Sequence, residues 1–224
     1  VHCRICNPND LFILLQVGDI LNRQGVMFSL SIYYLMSMRM DRVITFTESF
    51  SLKVVADLIN GMNPQYVVIL EAHSSAVFKL SNKCSIMRSP DINFDNYIKV
   101  FPDAGAMLRY NGDENLHVIC NKVRDPQTGY LTGFKILNPE VIENNPDKPF
   151  VVIDDLCDGG GTFAGIASLL NEYNREKAIY VTHMVNPKGI QTLSENYDRV
   201  IITNSYKNWE NENIPSNISV YSVI

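Results

Sequence analysis

Phe150-Val151-Val152-Ile153-Asp154-Asp155-Leu156-Cys157-Asp158-Gly159-Gly160-Gly161-Thr162-Phe163 is the stretch that decides the fold. An apolar run ends in two adjacent carboxylates, and a third carboxylate, three glycines and a threonine follow. Ala164 to Tyr173 reads as a helix, with Ile166, Leu169 and Leu170 at helical spacing. The order is strand, acidic turn, glycine loop, helix start. A helix start offers unpaired backbone N–H groups and a positive dipole end, which suits a phosphate. Carboxylates at the strand end suit sugar hydroxyls or a magnesium ion.

Working outward, strands and helices alternate on both sides of this stretch. Val1–Ile5 reads as the end of a strand, with Asp10 as the N-cap of a helix over Leu11–Arg23 that Gly25 stops. Val26–Tyr34 and Tyr66–Leu70 read as strands, with a helix opening at Thr47 between them. Short strands follow over Val77–Arg88, and Ser89-Pro90-Asp91 breaks the chain. Asp91–Tyr97 reads as a helical turn or loop. Ile98–Phe101, Leu116–Cys120 and Tyr130–Leu137 read as strands, with a helix over Ala104–Tyr110 and a turn at Pro126-Gln127-Thr128-Gly129. After the opening motif come strands at Ala178–Val181, Arg199–Thr203 and Ile218–Val223, a helix over Lys188–Glu195 and a polar loop over Tyr206–Ile214. This alternation predicts an α/β protein of two domains, each a mainly parallel sheet flanked by helices. The boundaries are 1–90, completed by 215–224, and 91–214, the latter with a hairpin arm over 120–137. Ligands in such sheets bind at the C-terminal strand ends, which makes His73 as informative as Asp154.

Composition bounds the function. Hydrophobic residues make up 46% and charged residues 19% of 224, the balance of a globular chain. A net charge of −5 with scattered Lys and Arg argues against binding through a broad basic surface, so no nucleic-acid partner is expected. No run reaches the roughly 18 apolar residues of a membrane helix, so no membrane partner is expected either. Five widely spaced cysteines do not form a disulfide framework and fit a reducing cytoplasm. Cys3-Arg4-Ile5-Cys6 lacks the two further ligands of a zinc site. The chain begins at Val1 rather than an initiator methionine.

The acidic glycine loop is not a Walker loop, because no Gly-Lys-Ser/Thr follows. Gly159-x-Gly161-x-x-Ala164 has dinucleotide spacing, but that fingerprint puts glycine directly after the strand, and here three aspartates intervene. A purely structural turn does not require three acids and three glycines. A phosphorylated sugar accounts for both. His183 reads as structural, and His2 and His117 carry no signal.

The loop resembles the phosphoribosyl diphosphate signature of type I phosphoribosyltransferases. Other segments narrow the resemblance to the ribose-phosphate diphosphokinases, which make phosphoribosyl diphosphate. Glu71-Ala72-His73-Ser74 is similar to that family's Asp-Leu-His-Ala, and Phe101-Pro102-Asp103-Ala104-Gly105-Ala106 to its Ser-Pro-Asp-Ala-Gly-Gly. Tyr34 through Met38-Arg39-Met40-Asp41-Arg42 is similar to its Tyr…Ala-Arg-Gln-Asp-Arg. Lys122-Val123-Arg124 is similar to the Lys-Arg-Arg of its catalytic loop, and Val181-Thr182-His183 to a later Thr-His. The matches occur in the family's order and span nearly the whole chain.

The resemblance implies roles. Asp154 and Asp155 would hold ribose hydroxyls, and Asp158, Gly159, Gly160, Gly161 and Thr162 would wrap the 5-phosphate. Arg39, Asp41 and His73 would contact ATP, and His73 and Asp103 would bind its magnesium. Lys122 and Arg124 would be catalytic, closing over a site between the two domains. The implied reaction joins ATP and ribose 5-phosphate with Mg2+ as cofactor, in a cytoplasmic homo-oligomer (in the host cytoplasm for a virus-encoded form). The alternatives are a phosphoribosyltransferase joining a base to phosphoribosyl diphosphate, and a non-catalytic homologue that regulates the synthetase. Met40 stands where the family has glutamine, Ala106 where it has glycine, and Gly159 where it has threonine. The family's first strands and last helix have no counterpart, and the interval from His73 to Asp103 is shorter. Both departures point to a segment or a compact divergent form.

Overall fold

A computed structural model describes residues 1–77, 83–89, 93–124, 131–209 and 212–224, apart from the side chains of Arg124 and Leu131. The turn expected at 126–129, and parts of the stretches expected at 77–88, 91–97 and 206–214, lie outside the described residues. The chain forms two compact units, Val1–Pro90 with Val223–Ile224, and Asp91–Ser222.

In the first unit, strands β1 (His2–Ile5), β2 (Leu30–Leu35), β3 (Val67–Leu70) and β4 (Cys84–Met87) form a parallel sheet in that order. Helix α1 (Pro8–Arg23) links the first two and α2 (Ser51–Gly61) the next two. Asn7, not Asp10, caps α1. Its side chain accepts from the backbone N–H groups of Asn9 and Asp10, while the Asp10 carboxylate reaches back to the Asn7 N–H. This reciprocal arrangement puts the acid at the third helical position. Helix α2 starts four residues later than Thr47. The Thr47 hydroxyl bonds that of Thr45 in the preceding turn, and the first-turn N–H of Leu52 is taken by the Met40 carbonyl.

In the second unit, β5 (Ile98–Phe101), β6 (Val118–Arg124), β7 (Leu131–Ile136), β8 (Phe150–Cys157), β9 (Lys177–Met184), β10 (Arg199–Thr203) and β11 (Ile218–Tyr221) form one sheet, ordered β11-β10-β9-β8-β5-β6-β7. All neighbours are parallel except β6 and β7. The last strand was expected to complete the first sheet; instead β11 pairs with β10, Ile218 opposite Val200. Helices α3 (Ala104–Arg109), α4 (Glu140–Glu143), α5 (Gly161–Leu170) and α6 (Pro187–Asn196) complete this unit.

The run Phe150–Ile153 is continuously apolar because β8 is buried on both faces. Phe150 and Val152 join a cluster with Ile166 and Leu170 of α5, whereas Val151 and Ile153 join Ala106 of α3 and Phe94. Strand β8 continues through both aspartates to Cys157, and α5 starts at Gly161, before Ala164. Strand β6 likewise runs through Lys122 to Arg124. Trp209 is buried against the first of these clusters, so the segment after β10 is not simply a polar loop. From β8 the chain adds strands in one direction, and from β5 in the other. The C-terminal ends of β5 and β8 thus flank the point where strand order reverses, the usual ligand crevice of such sheets.

The base of the β6–β7 arm is held by Asn138, which is buried. Its side-chain oxygen accepts from the Ile119 N–H at 2.9 Å, and its amide donates to the carbonyls of Glu114 and His117 at 2.7 Å each. Asn138→Ala strands these groups, and urea denaturation is expected to show a loss on the order of 3 kcal/mol.

Candidate active site

The two aspartates of β8 do not simply face solvent. Arg109, in the last turn of α3, donates to Asp154 Oδ1 at 3.0 Å and lies 2.8 Å from Asp155 Oδ1. Asp155 is buried, while Asp154 keeps some access, 18% of its side-chain surface. Asp154 Oδ1 also accepts from the Asp155 N–H at 2.9 Å. Burial, then neighbouring Asp155, pushes the Asp154 carboxyl well above the ordinary carboxylate range, and Arg109 offsets part of this. Burial opposes the Arg109 charge, but Asp155, Asp154 and Asp103 hold the guanidinium protonated. The sequence reading missed Arg109; its only signal was a basic residue in the last turn of the helix after Pro102-Asp103.

Asp103 follows β5 and caps α3, its Oδ1 accepting from the Ala106 N–H at 2.9 Å. Its second oxygen is the one left for a cation. Asp103, Asp154 and Asp155 thus gather around Arg109 at the strand-order reversal.

The glycine loop is braced from behind. Asn186, the N-cap of α6, donates to Asp158 Oδ1 at 2.8 Å, and the Thr192 hydroxyl donates to the Gly159 carbonyl at 3.1 Å. Gly160 takes φ 81°, ψ 0° as the residue before α5. A β-carbon there would be strained by this left-handed backbone and would meet Thr192 at 2.8 Å. Gly159 has open space around it, so a side chain such as the family's threonine fits without rearrangement. The first helical residues, Gly161 to Phe163, direct N–H groups that cannot bond within the helix back over the loop. Thr162 stands among them.

Lys122 lies on β6 opposite Phe134 of β7. The pairing shifts past Val123, so that Arg124 faces Leu131 rather than Thr132. The Thr132 hydroxyl instead donates to the Val123 carbonyl at 3.1 Å. Such a bulge re-aims the strand beyond it.

In the first unit, Arg39, Asp41 and His73 line one cavity of about 920 Å³ with Met40, Arg42 and Glu48. Burial raises the Asp41 carboxyl, but bonds from Ser74 and Arg42 and the nearby His73 outweigh it, and the net shift is downward. Glu71, at the end of β3, has φ 39°, a turn that carries the chain off the strand toward His73. Its buried carboxylate accepts from the Ser89 N–H at 2.9 Å. His183 is buried, with Nδ1 2.9 Å from the Ser205 hydroxyl, consistent with a structural role. Among the described residues, no group of three or more His, Cys, Asp or Glu side chains is placed to hold a metal alone. No described helix is long and apolar enough to cross a membrane.

No family model matches the chain. Curated proteins do. Ribose-phosphate pyrophosphokinase of Mycoplasmopsis pulmonis is 24% identical over 219 residues, covering 91% of this chain and 67% of that protein. The Nostoc enzyme of the same name is 26% identical, covering 95% and 68%. The chloroplastic ribose-phosphate pyrophosphokinase 1 of rice is 26% identical, covering 99% and 59%. This chain is a homologue of the ribose-phosphate pyrophosphokinases. It spans about three fifths to two thirds of the length of these relatives. Its fold is that of phosphoribosylpyrophosphate synthetase from Mycobacterium smegmatis, whose crystal structure it matches with a TM-score of 0.80 at 21% identity, over 99% of this chain and 76% of that one.

A raised native pKa at Asp154 sets a sign. Its contribution to stability is complete below the unfolded pKa and is lost as pH rises through the native value. Asp154→Asn keeps the acceptor for Arg109 and removes that loss. The variant is expected to melt above the parent at pH 8, with the gap closing toward pH 4 in thermal scans.

Proposed function

We propose that the chain transfers the β,γ-diphosphoryl group of ATP to the 1-hydroxyl of ribose 5-phosphate, giving phosphoribosyl diphosphate and AMP. The observation that carries this reading is the braced loop Asp158–Thr162 at the start of α5 beside Asp154, in a chain homologous to ribose-phosphate pyrophosphokinases over most of its length. The helix start suits a dianionic phosphate, and the partly exposed Asp154 suits vicinal ribose hydroxyls as acceptor. Asp155, buried against Arg109, fixes Asp154 in place.

The cavity of Arg39, Asp41 and His73 is large enough for a nucleotide and offers cations to its phosphates. A phosphoribosyltransferase has no use for it, which favours the synthetase. Met40, 57% exposed in that cavity, presents a thioether where the family has an amide.

In the reaction the ribose 1-hydroxyl gives up its proton to solvent, its oxygen bonds to the β-phosphorus, the bond from that phosphorus to the α,β-bridging oxygen breaks, and the electron pair leaves with AMP. Phosphoryl transfer needs mainly alignment and charge neutralisation. Lys122 and Arg124 stabilise negative charge on the transferred group. Magnesium fits an oxygen donor such as the free side of Asp103, since this ion keeps water and phosphate oxygens as its other ligands. When bound, it neutralises polyphosphate charge. His73, a poor donor for so hard a cation, suits an outer position or a hydrogen bond to phosphate. A homo-oligomer in the cytoplasm accompanies this reading.

The test is product formation. With ATP, ribose 5-phosphate and magnesium, the chain is expected to release AMP and phosphoribosyl diphosphate in equal amounts, and Lys122→Ala to lower kcat by about 100-fold or more. A folded chain that makes neither product overturns the reading. Consumption of phosphoribosyl diphosphate only when a base is supplied indicates the transferase, and neither reaction indicates the regulatory homologue.

A further inference from the structure

Gly165 sits in the middle of α5, where glycine costs about 1 kcal/mol relative to alanine. Its neighbour explains its presence. A β-carbon at Gly165 would stand 2.5 Å from Cδ2 of Phe134 and closer still to Cε2. The Phe134 ring, on the outer strand of the arm, therefore occupies a slot that exists only because the helix lacks a side chain there. The ring also packs against the main core cluster of the second unit.

Two relations give this contact a consequence. Phe134 is directly opposite Lys122 in the antiparallel pair. Directly opposed residues project from the same face of a ribbon, so the lysine leaves the arm on the side that the ring anchors. Gly165 also lies one helical turn, about 6 Å of axis, from Gly161 at the start of the phosphate loop helix. The ring thus ties the arm to that helix close to its phosphate-facing end. Regular pairing continues for one more pair, Val123 opposite Gly133, before the register shifts, and Gly133 has no side chain, so Phe134 is the last side chain of β7 before the shift.

We propose that Phe134, seated on Gly165, is the positioning residue for Lys122, holding the arm at a fixed height over the glycine loop. The inference rests on the synthetase reading for the role of Lys122. The contact itself can be tested without that reading.

The experiment uses the whole chain with Phe134→Ala, Gly165→Ala and the double variant Gly165→Ala/Phe134→Leu. Misplacement of a catalytic group by about 1 Å costs on the order of 100-fold, so the two single variants are expected to lower kcat ~10- to 100-fold. KM for ribose 5-phosphate should change less than about threefold, because the loop is untouched. The smaller leucine should make room for the new methyl and restore kcat above that of Gly165→Ala. The fall in kcat at nearly constant KM, with the melting temperature of each variant measured in parallel, separates positioning from general destabilisation. A second readout needs no activity: trypsin cleavage after Lys122 and Arg124, followed by mass spectrometry, should be faster in both single variants and slower again in the double.

Unchanged kcat in both single variants of an active enzyme overturns the inference, as does a double variant worse than Gly165→Ala in kcat. If the parent makes no product, the synthetase reading fails by itself and trypsin decides the contact. Unchanged cleavage then overturns the arm anchoring, and faster cleavage supports it.

Discussion

Two carboxylates side by side on a buried strand cannot both stay ionised without a cation within reach. Arg109 supplies that cation, 2.8 Å from Asp155 and 3.0 Å from Asp154. Much of the second unit follows from this requirement. Arg109 comes from the helix that follows β5, one of the two strands beside β8, and the β5–β8 adjacency is where the sheet reverses its order. The N-cap of the same short helix is Asp103, so one element delivers a cation to one pair of acids and a third acid beside them. Removing the arginine leaves buried charge uncompensated, a far larger penalty than the pair contributes when intact.

The arrangement divides labour between the aspartates. Asp155 is enclosed and pinned; Asp154 stays reachable and carries a carboxyl whose ionisation the fold opposes. A group that destabilises its own protein when charged is what a binding site gains from desolvated acids, and a ligand offering hydroxyls or a cation relieves the penalty. The glycine loop shows the same economy of structure. Asn186, the cap of α6, holds the Asp158 carboxylate and Thr192 of α6 holds the Gly159 carbonyl beside the left-handed Gly160, so the loop is preformed before any phosphate arrives.

Much of this was legible in the sequence, and the limits were physical. The apolar run before Asp154 marked a strand, and the acids and glycines after it marked its C-terminal end as a candidate site. Helix positions followed from apolar spacing, and so did the start of α3 at Ala104, whereas the starts of α1, α2 and α5 did not. The cap of α1 is Asn7 because Asp10 reaches back to it, and α2 waits for Ser51 because a distant carbonyl takes its first N–H. Such tertiary hydrogen bonds leave no periodic trace. Arg109 was invisible for the same reason: its partners lie 45 and 46 positions away. The destination of β11 depended on which sheet edge was open, and local sequence does not record that. Nothing in the sequence around Gly165 signals that the ring of Phe134 fills its place, 31 positions away.

The central claim is that Asp154 to Thr162 forms a receptor for a phosphorylated pentose. Titration calorimetry of the whole chain with ribose 5-phosphate, and with ribose as control, tests it most directly. The account predicts saturable binding at one site per chain. Affinity should fall at least about tenfold when the phosphate is absent, the effect of roughly 1.4 kcal/mol from charge-assisted bonds at the helix start. It also predicts that Gly160→Val removes this preference while the chain stays folded. Equal affinity for ribose and ribose 5-phosphate, or no binding of either by the folded chain, would contradict it.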